Sequence, residues 1–149
     1  MPVEMVRRGA GRKYPSRPFK KIALAVLELA GQESSELSLA LIGNDEMQKL
    51  NARYRHKDYP TDVLSFAAGA DLPLGTPLLG DVIISVEKAA QQAKERQHTL
   101  DHEMVTLMIH GVVHLLGYDH ERSARDARVM KRVERRIYRQ LCERGFFRL

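Results

Sequence analysis

Half of the six histidines of this chain fall within eleven residues, in the run His110-Gly-Val-Val-His114-Leu-Leu-Gly117-Tyr-Asp-His120. On a helix, residues four apart present their side chains about 40° apart on one face, so His110 and His114 can grip one ion. Gly117 can take the left-handed backbone that stops a helix, which turns the chain back and lets His120 approach the same point. Three neutral imidazoles with a fourth position open form a catalytic rather than a structural zinc site. A metal held there lowers the pKa of its bound water and makes a nucleophile near neutral pH. A lone histidine on an apolar helix is more often a satisfied core or surface residue. Three at this spacing, with a glycine at the bend, predict a metal centre. His98 and His102 are read as surface or helix-start residues, because His102 lies two turns before the cluster.

The H-x3-H-x5-H spacing with its glycine also occurs in the metzincin proteases. There a glutamate follows the first histidine and serves as general base. Here that position is Gly111, so a peptidase would lack its proton acceptor. Asp62, Glu103 and Asp119 are the carboxylates to consider as proton acceptors instead.

The elements that position these groups can be read from capping and periodicity. Thr99 caps a long helix through about Leu116, with Asp101 and Glu103 favourably placed in its first turn. Ser16 is expected to cap an earlier helix that Gly31 stops, and Asn44 another through about Tyr54. Glu36–Ile42 alternates as a strand, while Val63–Ala67 and residues 81–86 are short apolar runs that read as buried strands. Between the last two, residues 69–80 hold three Gly and two Pro, an irregular loop. A polar helix over 87–97 and a basic one over 123–143 follow, the latter with a stripe of Val129, Val133, Ile137 and Leu141. Residues 1–14 start with an apolar patch that fits an edge strand, then become a Gly- and Arg-rich segment expected to be flexible. Strands interleaved with helices predict an α/β (α+β) fold: a single domain over 1–149, a small mixed sheet packed by helices, and a zincin-like metal helix.

A chain of 149 residues is long enough to bury a core without disulfides. Its one cysteine, Cys142, has no internal partner. No apolar run approaches the ~20 residues of a membrane span. The basic stretch before Ile22–Ala30 is too long for a secretory signal, and Glu28 interrupts the apolar run, so a cytoplasmic location is expected. The net charge is +5 and is unevenly spread: residues 1–21 hold seven Lys or Arg against one acid, and residues 121–149 ten against four. The body between is acidic. Two basic flanks suit a polyanion such as RNA, and equally a solvated helix face beside a flexible tail.

With the histidines in view, the chain resembles the YbeY family of bacterial metal-dependent endoribonucleases over about residues 20–145. The likeness rests on His110-Gly-Val-Val-His114-Leu-Leu-Gly-Tyr-Asp-His120. It is joined by Leu50-Asn51-Ala-Arg-Tyr54-Arg55-His-Lys57-Asp58-Tyr-Pro60-Thr61-Asp62-Val63-Leu64-Ser65-Phe66 and by Leu79-Gly80-Asp81-Val-Ile-Ile-Ser85. Val113 stands where that signature usually has Leu, and Ala67 where it often has Pro. The basic residues 7–13 do not map onto the family.

The resemblance implies hydrolysis of single-stranded RNA with one Zn2+ per chain, other divalent transition metals being possible. It implies maturation of the 3′ end of small-subunit ribosomal RNA and ribosome quality control. The partners would be ribosomal RNA, the small ribosomal subunit and its proteins, with no membrane. His110, His114 and His120 match the metal ligands, and His114 and Arg55 are the residues expected to be catalytic. A guanidinium presents a rigid fork to phosphate oxygens, although Arg55 could instead pair with Asp58 or Asp62. Lys57 and the arginines of the last helix could track the RNA backbone. Asp119 could orient a histidine or stabilise the turn after Gly117, and Tyr118 could stack on a base or pack beneath that turn. Ser65 and Ser85 sit at motif positions on strands. Two rival readings remain at this level: a non-catalytic ribosome-assembly factor with a structural metal, and a metal-dependent hydrolase of peptides or small molecules, which Gly111 disfavours.

Overall fold

In the computed structural model, which describes residues 2–68 and 78–146, the chain opens with strand β1 (Val3–Arg7) and a short 3-10 helix (Gly9–Lys13). Helix α1 (Ser16–Leu29), strand β2 (Glu36–Ile42), helix α2 (Asn44–Arg55), strand β3 (Val63–Ala67) and strand β4 (Leu78–Ser85) follow. Helices α3 (Val86–Glu95), α4 (Leu100–Leu115) and α5 (Ala124–Glu143) complete the described chain. The strands form one sheet in the order β1-β2-β4-β3. β1, β2 and β4 run parallel, and β3 pairs antiparallel with β4. The expected α/β (α+β) class, with a small mixed sheet packed by helices, is the one the chain adopts.

The sheet has a different partner on each face. Leu37, Leu39 and Leu41 of β2 alternate towards the main core, where they meet Val82 and Ile84 of β4 and side chains from α1, α4 and α5. Ile42, Leu64 and Met47 of α2 make a smaller cluster, with Ile83 and Phe66 packed against it. α4 is the centre of the main core. Met104, Val105, Met108, Ile109, Val112 and Val113 are all buried, so the helix is apolar around most of its circumference. Such a helix is stable only when enclosed. Each of these large side chains contributes about 1.5–3 kcal/mol by leaving water. The sheet side of the enclosure is tight: a Cβ on Gly111 would lie 2.7 Å from Cγ1 of Val82, itself fully buried.

Several boundaries differ from expectation for physical reasons. The segment read as flexible after β1 takes regular form. Arg8 N–H donates to Leu41 O at 2.9 Å, Arg7 donates to Tyr14 O at 2.7 Å, and the Tyr14 hydroxyl donates to Asp101 on α4 at 2.6 Å. Tyr14 is buried, and its ring meets that of Phe19 nearly at right angles, 5.4 Å between centroids. Partners from other parts of the same chain cannot be read from a local run of Gly and Arg. β4 starts at Leu78 rather than Asp81, because Ala67 pairs with Gly80 and Glu36 with Leu78. The rest of the predicted irregular loop, 69–77, lies outside the described residues. Ser16 and Asn44 are the first residues of their helices; the caps are Pro15 and Gly43. Ser85, Thr99 and Ser123 do cap, each accepting a backbone N–H three residues on. On α5 the deepest residues are Met130, Ile137 and Leu141, a stripe rotated slightly from the one expected. Among the described residues no helix is long and apolar enough to cross a membrane.

The Gly111 contact sets a test. In an unhindered helix Gly→Ala gains roughly 1 kcal/mol. Here the added methyl meets a stiff β-branched side chain, so Gly111→Ala should lower unfolding stability by about 1–3 kcal/mol, read from urea titrations monitored by circular dichroism.

Candidate active site

The last turns of α4 reach the edge strand β3, and a cavity of roughly 510 Å3 lies there. His110 and His114 both line it. Beyond Leu115 the helix stops. Gly117 takes φ +102°, a left-handed conformation that costs glycine little, and the chain turns back. His120 then lines the same cavity, its ring centroid 5.3 Å from that of His110. The reversal is held by Arg122, which donates to Gly117 O at 2.8 Å, and by Asp119, which accepts from Glu121 N–H at 2.9 Å. That backbone donor keeps the Asp119 carboxyl below the usual carboxylate range.

A fourth group enters from α5. Glu134 Oε1 lies 2.9 Å from Nδ1 of His110, and this hydrogen bond raises the pKa of His110 despite its desolvation. A carboxylate on one ring nitrogen of a histidine fixes the tautomer and leaves the other nitrogen for a ligand. Nδ1 of His114 is buried and has no hydrogen-bond partner, one of two such side-chain atoms among the described residues, the other being Oε1 of Gln92. The donor set therefore fits a borderline divalent ion in its chemistry: imidazoles, a supporting carboxylate and no thiolate. The side chains surround the cavity without being drawn to one point. Among the described residues no three His, Cys, Asp or Glu groups stand in ion-holding geometry.

Arg55 ends α2 and lines the cavity. Its guanidinium donates to Ser65 O at 3.3 Å and sits 5.9 Å from the centroid of the Phe66 ring. It does not take up the alternative pairing with Asp58 or Asp62. Asp58 instead accepts from Gln48 at 3.1 Å, and Asp62 from its neighbour Val63 N–H at 2.7 Å. The next residue, His56, holds φ +58°, a left-handed stop that ends α2 just as its arginine reaches the cavity. Lys57, Asp62 and Ser65 also line the cavity.

Other expectations are corrected by position. Glu103, in the first turn of α4, is fully buried and is held by Arg96 at 2.7 Å and by His98, so it is no proton acceptor for the cavity. His98 and His102 do stand at the start of α4, but their rings stack on one another 4.2 Å apart and are not bystanders. Ser85 is a helix cap whose hydroxyl donates to Asn44, away from the cavity. Asp119 takes the turn-stabilising role, and Tyr118 packs against the core. Sequence reasoning missed Glu134 and Arg96. Glu134 lies on the same helical face as Met130, Ile137 and Leu141, and one carboxylate on an otherwise apolar stripe was the available signal.

The chain matches the family described as Endoribonuclease YbeY over residues 9–142. It is similar to the Endoribonuclease YbeY of Aquifex aeolicus, with 40% identity over 132 residues that cover 89% of this chain and 87% of that protein. It is similar to that of Syntrophotalea carbinolica, with 38% identity over 144 residues covering 95% and 96%. The Endoribonuclease YbeY of Myxococcus xanthus is 46% identical over 145 residues, which cover 94% of this chain and 47% of that longer protein. In fold, the chain is similar to the solution structure of a Thermotoga maritima protein, with a TM-score of 0.61 and 23% identity over 97% of this chain and 94% of that one. The match begins at Gly9, so most of the basic segment that did not map from motifs alone lies within the family's span. On this match and these identities, the chain belongs to the YbeY family.

Proposed function

We propose that the chain is a zinc-dependent, single-strand-selective endoribonuclease. Its substrate is ribosomal RNA on the small subunit, and its work is maturation of the 3′ end and ribosome quality control in the cytoplasm. The observation that carries this reading is the meeting of His110, His114, His120 and Arg55 around one cavity, in a chain of this family. The three histidines would hold the metal, which when bound supplies Lewis-acid chemistry at the phosphodiester. Glu134 fixes the ring of His110. Arg55 offers its fork to phosphate oxygens and stabilises the charge that develops on them. The basic flanks of the chain add sequence-independent attraction to a polyanion. Asp62, Asp119, Glu121 and Glu134 are the carboxylates that line the cavity, and each can accept a proton there. Splayed bases, rather than bulk charge, would give the preference for single strands.

A peptidase reading has less support than its spacing implied. Gly111 faces Val82 in the sheet, so a carboxylate grafted at that position would be directed into the core and away from the cavity.

Two measurements test the proposal. His114→Ala should lose bound zinc, keep its helical circular dichroism, and cut a single-stranded ribosomal RNA fragment at least 100-fold more slowly than wild type. Cutting at the wild-type rate by the zinc-free variant would sink the mechanism, and zinc-loaded wild type that cuts nothing would favour the assembly-factor reading. Arg55→Gln should keep its zinc yet lose about 100- to 1,000-fold in kcat, the scale seen when a single charge-stabilising donor is removed. An unchanged kcat would remove Arg55 from the chemistry.

A further inference from the structure

One charged cluster outside the histidine motif remains unexplained by the mechanism above. Arg96 follows α3, and Gln97 takes φ +59°, a left-handed turn that non-glycine residues seldom adopt. The turn places Arg96 and His98 on the two oxygens of Glu103. Arg96 Nη1 donates to Oε1 at 2.7 Å, and His98 Nε2 pairs with Oε2. Glu103 is fully buried, whereas the Arg96 side chain is 53% exposed and lines the same cavity as Arg55. A carboxylate is costly to bury unless both oxygens are matched. It is matched here by groups that also fix an arginine at a cavity wall. His98 is steadied in turn by its stack on His102, whose Nδ1 lies 2.9 Å from the Tyr138 hydroxyl.

We propose that Arg96 binds a second backbone phosphate of the RNA strand, beside the one served by Arg55, and that Glu103 is the positioning residue that holds it there. This rests on the endoribonuclease reading. The cavity itself gives the reason a further cation is needed. Asp62, Asp119, Glu121 and Glu134 all line it and repel a polyanion, against Arg55, Lys57 and Arg96 as the permanent cations there among the described residues. Glu103 uses one N–H of a guanidinium that has five, so donors remain for phosphate oxygens. Holding the head group in advance removes rotamer freedom that a loose arginine would lose on binding.

The test uses the full chain, with steady-state cleavage of an unstructured RNA and equilibrium binding of its 2′-O-methyl analogue across a salt series. Arg96→Gln should raise KM about tenfold while kcat changes less than threefold. Its slope of log affinity against log salt should be shallower by about 0.7, the loss of one single-strand phosphate contact. Arg96→Lys should restore the slope but only part of the KM, since an ammonium lacks the fork. Glu103→Gln should raise KM with kcat held, and the double variant should be no worse than Arg96→Gln alone. If Glu103→Gln fails to fold, the two Arg96 variants decide the matter. Arg96→Gln with wild-type KM and salt slope would overturn this proposal alone. An equal fall in activity and melting temperature with an unchanged slope would make Arg96 a structural tether, and would overturn it as well. A wild-type chain that binds no RNA would overturn the endoribonuclease reading with it.

Discussion

Helix α4 lies against the sheet because Gly111 presents no side chain to Val82, and the remaining geometry follows from that contact. With the helix axis drawn in at this point, Met104, Met108, Val112 and their neighbours are enclosed by β4, α1 and α5, and the rotation of the helix is set. Rotation decides which residues leave the core. His110 and His114 emerge together at the edge of β3, while the position between them that a protease would use faces inward. One missing methyl thus fixes packing and chemistry together.

The candidate site is then supplied from elements far apart in the chain. α4 gives two histidines, the reversal after Gly117 gives the third, α2 ends in Arg55, and α5 sends Glu134 across to His110. Each arrives through an ordinary local device: a left-handed residue at Gly117, another at His56, a serine cap at the start of α5. The charged side chains are mostly spoken for by these devices. Asp119 serves its turn, Asp62 its own backbone and Glu103 two basic partners, while His114, His120 and Arg55 stand in the cavity wall without a carboxylate hydrogen bond among the described residues.

The histidine motif was legible because its logic is local: i, i+4 on a helix, then a glycine that reverses the chain. Strands β2 and β3 were legible to the residue because alternation and β-branching act over a few positions. Glu134, Arg96 and the ordered N-terminal segment were not, because their partners lie 24, 7 and up to 87 residues away. A carboxylate on a basic helix looks like one more solvated charge until its facing histidine is known. Glu103 shows the opposite failure. Its place in the first turn of α4 suggested a solvated dipole partner, and tertiary packing enclosed it instead.

The strand order carries a consequence for synthesis. β4 is the last strand among the described residues, yet it stands between β2 and β3. Until residue 85 has left the ribosome, β2 lacks its partner on the side away from β1, and β3 has no neighbour among the described strands. Bare edges pair readily with other chains. The late arrival of β4 pairs β2 and β3 at once, leaving β1 and β3 as the outer strands, and α4 emerges after α3 to cover the face it completes.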